Sequence, residues 1–491
     1  MHLLCSENTE LGRTYNKTRV FTFPFMPTLR VRVTGGTGYL GSHIIAQLLA
    51  SQQIKYLVRT TVKPGDKSLL QEIFPDAGDR LEAVETKSLT CDYLRLGYMK
   101  DVDAVIHAAL PDGAKFVEGV VNGTTGILEA AIKVGVKKVI ITSTFVTLCE
   151  LDTYKETFSS DTLGPGSWCS SPSVKFDSVA DINRAIRSGK VSGFAVYQMS
   201  KTLAEKKVWD IVRRVESEGK HVDVTTILPP VMFGPYATPT YPLPSCSEDL
   251  NANQFIYQLI SHSRSSSPSI SPSYPDLKLG YMVDVRDAAQ AHILAFSSLS
   301  GAPASSNAGQ SCVEEHDTKQ FDERIILCSH TFTWPQLAEM IAEKRPDLKE
   351  RLPPPGATTH SQNYAPLDLD LMKSLFSLEP FTDNITAEDG SQAKGDSSSL
   401  SMTPWEETVL ASLDLVLRWE EAYESAQDSE SSHTQEEEGE YGFAHEETKN
   451  MEDVSHKFDN DHRVGERRGL KRCTSTREQP EDQEKRKLRK D

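Results

Sequence analysis

No apolar run in this 491-residue chain approaches the length of a membrane span. No signal-peptide h-region is seen either, because Val20 to Met26 is short and is broken by Pro24. The eight cysteines (Cys5, Cys91, Cys149, Cys169, Cys246, Cys312, Cys328 and Cys473) form no close Cys-x-x-Cys pair. That removes zinc and dithiol-redox readings, and no metal is expected. Several cysteines lie in apolar runs and read as reduced core residues, which points to the cytosol. Positive charge is also in deficit: the formal net charge is −17. A whole-protein role on nucleic acid or on anionic membranes is therefore not expected.

What is present begins at Val31–Ala50, VRVTGGTGYLGSHIIAQLLA. Val31 and Val33 open a β-branched run suited to a buried parallel strand. Gly35, Gly38 and Gly41 follow at intervals of three. Ile44, Ile45, Leu48 and Leu49 then form an apolar stripe at helical spacing. Gly35 allows the turn, Gly38 lets the backbone approach a pyrophosphate, and Gly41 lets the helix pack on the strand. The helix opens at Tyr39 and Leu40, and its unpaired N–H groups and partial positive charge would face the phosphates. A strand, a glycine turn and an amphipathic helix together point to dinucleotide binding.

The second strand is read at Tyr56–Lys63. An acidic residue at its end would select NAD through the ribose 2′-OH. No carboxylate precedes Asp66, whereas Arg59, Lys63 and Lys67 are cationic. These charges suit a 2′-phosphate, hence NADP(H) rather than NAD(H); they also suit a plain solvated face. Further strands are expected at Leu81–Leu89, Val102–Ala109, Lys137–Thr144 and Thr225–Leu228. Ser88 and Leu89 would lie beside the adenine, and the small Ala108 and Ala109 would leave room for the cofactor. His107 reads as a packed residue. Helices are expected at Val117–Val134, near Val179–Arg187, and from Tyr197 to about Val215. Strands alternating with helices indicate an α/β fold, a doubly wound parallel sheet of the Rossmann type, with ligands at one edge.

Four regions follow. Residues 1–28 are expected to be disordered, and 29–235 form the dinucleotide-binding core. Residues 236–420 form a smaller, irregular substrate-binding region with Ser/Pro-rich insertions, some segments returning to the core. Within it a strand and helix are read across Tyr281–Phe296, a strand at Arg324–Cys328, and helices at Thr333–Lys344 and Glu406–Trp419. Residues 421–491 form a charged tail too poor in apolar residues to fold. The substrate-lining residues are placed in the loops 159–192 and 236–275.

Tyr197 and Lys201 are four residues apart, so both project from one helical face. A phenol serves as a general acid near neutral pH if its pKa, ordinarily about 10, is lowered. A lysine one turn away, together with an oxidised nicotinamide, would lower it. A hydroxyl from Thr144 or Ser143 can polarise a carbonyl while the phenol supplies the proton.

The segments TGGTGYLGSHI, VRTTVK, VNGTTGILEAA, VIITST, YQMSKTLAEK, LPPVMFGP and VDVRDAAQAHILAF resemble the extended short-chain dehydrogenase/reductases of the epimerase/dehydratase superfamily. The likeness is to the branch of dihydroflavonol and methylglyoxal (ketone) reductases, and it runs from about Leu29 to Trp419. It implies Tyr197 as acid/base, Lys201 as its partner, and Thr144 in the catalytic serine or threonine position, with Ser143 as the fallback. It also implies that Asn122 holds a proton-relay water, that Lys63 matches a basic residue of NADPH-binding members, and that Pro229 and Val231 flank the nicotinamide. Two features depart from the branch: Thr144 and Tyr197 are unusually far apart in sequence, and a threonine stands for the serine.

The leading expectation is an NADPH-dependent oxidoreductase acting on a small-molecule aldehyde, ketone or alcohol. A nucleotide-sugar epimerase or dehydratase with bound NAD is the alternative, for which Arg286 is the one candidate diphosphate ligand. A non-catalytic dinucleotide-binding sensor or interaction protein is the third reading. Analogy with such folds suggests a homodimer.

Overall fold

The computed structural model describes residues 27–87, 97–111, 115–149, 162–171, 173–261, 274–277, 279–297, 324–354, 357, 364–377 and 402–437, the last eleven by backbone only. The strands are β1 (Thr28–Thr34), β2 (Lys55–Val62), β3 (Leu81–Glu85), β4 (Ala104–His107), β5 (Lys138–Thr142), β6 (Asp223–Leu228), β7 (Val231–Phe233), β8 (Tyr281–Asp284), β9 (Arg324–Ile326) and β10 (His330–Thr331). The helices are α1 (Tyr39–Ala50), α2 (Lys67–Ile73), α3 (Phe116–Val134), α4 (Val179–Arg187), α5 (Gly193–Ser217), α6 (Asn253–Ile260), α7 (Val285–Ser297), α8 (Trp334–Lys344), α9 (Asp370–Ser377) and α10 (Trp405–Glu437).

Seven strands form one parallel sheet in the order β3-β2-β1-β4-β5-β6-β9. Its strands read as near-continuous apolar runs because helices cover both faces. On one face α1 and α7 bury Ile44, Ile45, Leu48, Ala288 and Ala291; on the other, α3 and α5 bury Ile127, Leu128, Val208 and Val212. The chain winds outward from β1 in both directions. The crevice beyond the carboxyl ends of β1 and β4 is therefore where a ligand belongs. The 29–235 segment supplies six of the seven strands, and β9 returns from far along the chain to pair with β6.

Pro229 and Pro230 end β6, as expected of residues that cannot continue a ladder. The chain is not a plain loop thereafter. Val231 enters β7, which joins β8 and β10 in a second, three-stranded sheet. This sheet shares a core with α6, α8 and α10 through Phe233, Met282, Phe332, Trp334, Ile256, Val409 and Leu413.

Three expectations are corrected. α5 starts at Gly193, so Tyr197 lies in its second turn and does not open it; the Ser192 hydroxyl caps the helix by accepting the Ala195 amide at 3.2 Å. β5 stops at Thr142: the Ser143 and Phe145 amides still reach the Ile227 and Pro229 carbonyls, but Pro229 has no amide to return and a 3₁₀ turn begins at Phe145. α10 runs to Glu437, past both Trp419 and the expected start of the disordered tail. Glutamate, alanine and glutamine favour helix, and a helix already nucleated on a packed face extends cheaply. Ser88 and Leu89 lie outside the described residues, as do 1–26 and 438–491.

Candidate active site

The glycine turn is a close fit to its surroundings. Gly35 has φ +77°, and a Cβ there would lie 2.8 Å from the Ala109 Cα. At Gly41 a Cβ would lie 2.1 Å from the Gly35 carbonyl oxygen. Gly38 is the N-cap of α1 and donates its amide to Gly35 O at 2.9 Å. Gly36, which sequence reasoning passed over, is equally confined: its Cβ would meet Thr60 Oγ1 at 2.2 Å. Only bare backbone fits this cradle, as close approach of a pyrophosphate to a helix N-terminus requires.

Tyr39 and Leu40 form the first turn of α1, and both are buried. The Tyr39 side chain turns away to the Gly234 carbonyl, to which its hydroxyl donates at 2.8 Å. Tyr241 donates to the Thr37 carbonyl at 2.7 Å, tying the 234–241 segment to the glycine turn. Lys63 stands exposed one residue beyond β2. Arg59 is placed otherwise than expected. It lies inside β2, where Nε donates to Glu82 at 2.7 Å and Nη1 to the Tyr98 and Lys100 carbonyls. Alternation along the strand spent this cation on the neighbouring strand, leaving Lys63 as the strand-end charge. Lys67 is exposed in the first turn of α2.

Three strand ends connect the cradle to the catalytic candidates. The Ala109 amide donates to Thr34 Oγ1 at 3.1 Å, and Thr34 Oγ1 bonds His107 Nδ1 at 2.8 Å. His107 Nε2 bonds Thr124 at 3.2 Å. This histidine is a packed residue, and burial, aided by the Lys201 and Arg32 charges, lowers its pKa to about 3. Ala108 lies half-buried beside it. Lys201 donates to the Thr142 carbonyl at 2.8 Å, at the end of β5.

The Tyr197 phenol lies beside the Thr144 hydroxyl, which pulls the phenol's pKa downward. Its ring lies between Phe116 and Phe194, each with its centroid 6.5 Å away. The Ser143 hydroxyl instead donates to Glu205 at 2.6 Å. The structure thus separates two neighbours that the sequence left as alternatives: Thr144 faces the phenol and Ser143 is bound elsewhere. The Pro229 carbonyl accepts the Phe145 amide at 2.9 Å, which puts Pro229 beside Thr144, and Val231 follows in β7. Asn122 occupies an exposed position on α3.

Burial raises the Tyr197 pKa from its ordinary value, with the neighbouring Thr144 hydroxyl opposing. The phenol therefore keeps its proton near neutral pH. Burial lowers Lys201 to about 8, with the Glu205 carboxylate pulling upward. Sequence reasoning missed Gln198 and Glu205, both fully or nearly fully buried. Gln198 Nε2 donates to the Val146 and Cys149 carbonyls at 2.9 and 2.8 Å, fixing the turn that follows Thr144. Glu205 was signalled by its place four residues beyond Lys201, on the same helical face.

Arg286, the candidate diphosphate ligand, is engaged by Asp284 at 2.8 Å and by Glu407 at 3.2 Å. Among the described residues no group of three or more His, Cys, Asp or Glu side chains could hold a metal, and no helix is long and apolar enough to cross a membrane.

The model of the NAD dependent epimerase/dehydratase family matches residues 31–309, over half of the 491-residue chain. The chain belongs to this family. An uncharacterized oxidoreductase of Schizosaccharomyces pombe is 27% identical over 357 residues, covering 70% of this chain and 91% of that protein. The NADPH-dependent methylglyoxal reductase of Saccharomyces cerevisiae is 24% identical over 376 residues, covering 71% and 92%. Among solved structures, that of yeast methylglyoxal/isovaleraldehyde reductase complexed with NADPH aligns at a TM-score of 0.57 and 22% identity, covering 80% of this chain and 99% of that one. The structural likeness carries the fold; the family membership carries the dinucleotide-binding sheet.

Proposed function

We propose that this protein is an NADPH-dependent oxidoreductase that reduces an aldehyde or ketone to an alcohol. The observation that carries the reading is the placement of the Tyr197 phenol beside the Thr144 hydroxyl, with Lys201 one helical turn away and bonded to the Thr142 carbonyl at 2.8 Å. The name of the yeast methylglyoxal reductase supports the same cofactor and reaction class.

The cradle of Gly35, Gly38 and Gly41, the first turn of α1, Lys63, Ala108, Pro229 and Val231 would hold the cofactor, and bound NADPH would supply the hydride. This chain's residues do the rest. Thr144 donates a hydrogen bond to the carbonyl oxygen. Tyr197, protonated because burial holds its pKa up, gives its proton to that oxygen as it gains charge. Lys201 supplies positive charge beneath the phenol, and Asn122 is proposed to hold a water that returns the proton. A panel of aldehydes and ketones, with NADPH and NADH compared, tests the reading by cofactor oxidation. Failure to oxidise NADPH with every member would sink it.

Two expected results follow from this assignment. Lys201 is protonated below about pH 8 and loses its proton above it. Hence kcat/KM for reduction should be flat below that pH and fall above it, and Lys201→Arg should remove the fall. Its effect on stability has the opposite sign. Between about 8 and its ordinary 10.5 the unfolded chain holds the proton and the folded one does not, so this group's contribution to stability rises with pH. Lys63→Glu should lower the ratio of kcat/KM for NADPH over NADH by about tenfold, since a charge-assisted bond to the 2′-phosphate is replaced by repulsion. An unchanged ratio would remove Lys63 from the cofactor site.

A further inference from the structure

Glu205 and Arg324 form a buried charge pair that the proposed reaction does not itself use. Glu205 is 2% exposed and Arg324 0%. Glu205 accepts from Ser143 Oγ at 2.6 Å, from Thr226 Oγ1 at 2.9 Å and from Arg324 Nε at 2.8 Å. Arg324, at the start of β9, also donates to the Pro165 carbonyl, to the Ser167 carbonyl at 2.7 Å and to Thr147 Oγ1 at 3.3 Å. Its guanidinium carbon lies 3.6 Å from the centroid of the Trp168 ring. The loop it holds is fastened a second time, where the Cys169 amide donates to the Thr147 carbonyl at 2.6 Å.

Burying two charges costs desolvation that their attraction repays only in good geometry, so such a pair is a poor way to gain stability. This pair is instead placed where five separate pieces of chain meet, β9 with Arg324 among them. Glu205 lies on α5 one turn beyond Lys201 and two beyond Tyr197, while Ser143 directly precedes Thr144. Thr226 belongs to β6, and residues 165–168 belong to the long segment between Thr144 and Tyr197. The planar fork of arginine is the group that can bridge a carboxylate and two carbonyls while stacking on an indole.

We infer that Glu205 and Arg324 are positioning residues for the proposed reduction: through Ser143 and the Pro165 and Ser167 carbonyls they hold the Thr144 hydroxyl and the 165–168 segment in register with Tyr197. The inference rests on the functional reading above, but it has a readout that does not need turnover.

The test compares the full-length parent with Arg324→Lys, which keeps the charge and loses the fork, and with Ser143→Ala, which cuts only the link to Thr144. Amide hydrogen exchange is followed over 140–149 and 162–171, together with NADPH affinity, kcat and KM. In Arg324→Lys, exchange in both segments should rise by about tenfold or more, NADPH affinity should stay within about twofold, and kcat should fall by about tenfold with little change in KM. In Ser143→Ala the rise should be confined to 140–149 with a similar fall in kcat, and Ser143→Thr should restore it. Should Arg324→Lys not fold, Ser143→Ala decides alone. Unchanged exchange overturns the proposal whatever the turnover. Faster exchange with unchanged kcat reduces the pair to a structural staple and overturns the positioning role. A parent that binds NADPH but reduces no carbonyl sinks the functional reading instead, and exchange then decides whether the pair orders these segments.

Discussion

Tyr197→Phe is expected to lower kcat for carbonyl reduction by about 10²–10⁴-fold, the usual worth of a positioned general acid. NADPH affinity should stay within about twofold, because the ring keeps its place between Phe116 and Phe194. The loss should fall on kcat more than on KM, since the proton is needed only as charge develops on the substrate oxygen. Thr144→Ala should cost about 10²-fold as well, in the range of a lost oxyanion donor. Ser143→Ala should cost less, about tenfold, because the Ser143 hydroxyl is bound to Glu205 and acts only through it. Steady-state kinetics with a responsive carbonyl, paired with an NADPH titration, measures all three. Equal losses in Thr144→Ala and Ser143→Ala would contradict the division of labour between these neighbours. Full activity in Tyr197→Phe would mean that another group supplies the proton, and would remove Tyr197 from the acid role.

The parts legible in the sequence were those fixed by local chemistry. A glycine triplet between a β-branched run and an apolar helical stripe has one good three-dimensional solution, and Gly35, Gly38 and Gly41 occupy it. The spacing of Tyr197 and Lys201 survives because helix geometry is rigid, even though α5 begins four residues before the phenol. Strand ends were harder. Nothing local says that Ser143 and Thr144 leave β5; that depends on the partner strand, where Pro229, more than eighty residues away, has no amide to continue the ladder.

The remaining features depend on contacts that sequence spacing does not encode. Arg59 reads in sequence as a phosphate ligand because it is basic and near a strand end, but strand alternation and Glu82 claim it. Arg324 follows a long insertion and gave no signal, since its partners Glu205, Pro165, Ser167 and Trp168 come from two other segments. The second sheet escaped notice because β7 and β10 are three and two residues long, too short for a period-two pattern to register.

Gly41→Ala is expected to be the most damaging single-methyl change in the cofactor site. The added carbon would stand 2.1 Å from the Gly35 carbonyl oxygen and 2.9 Å from its carbon, and both are backbone atoms that cannot rotate away. Gly35 has no room to retreat, being itself seated against the Ala109 backbone. Relief must come from α1 moving outward, yet Ile44, Ile45 and Leu48 on that helix are fully buried against the sheet. Overpacking of this kind costs about 1–3 kcal/mol. Part of that cost falls on the fold and part on the aim of the α1 amides at the pyrophosphate, so NADPH affinity should drop by about tenfold or more even in protein that remains folded. Gly166→Ala is the matched control, since a Cβ there meets nothing within 4 Å, and it should alter neither melting nor binding. Thermal melting with and without NADPH separates the two effects. The cradle assignment fails if Gly41→Ala melts lower than the parent yet gains as much from NADPH, for then the turn supports the fold without touching the dinucleotide.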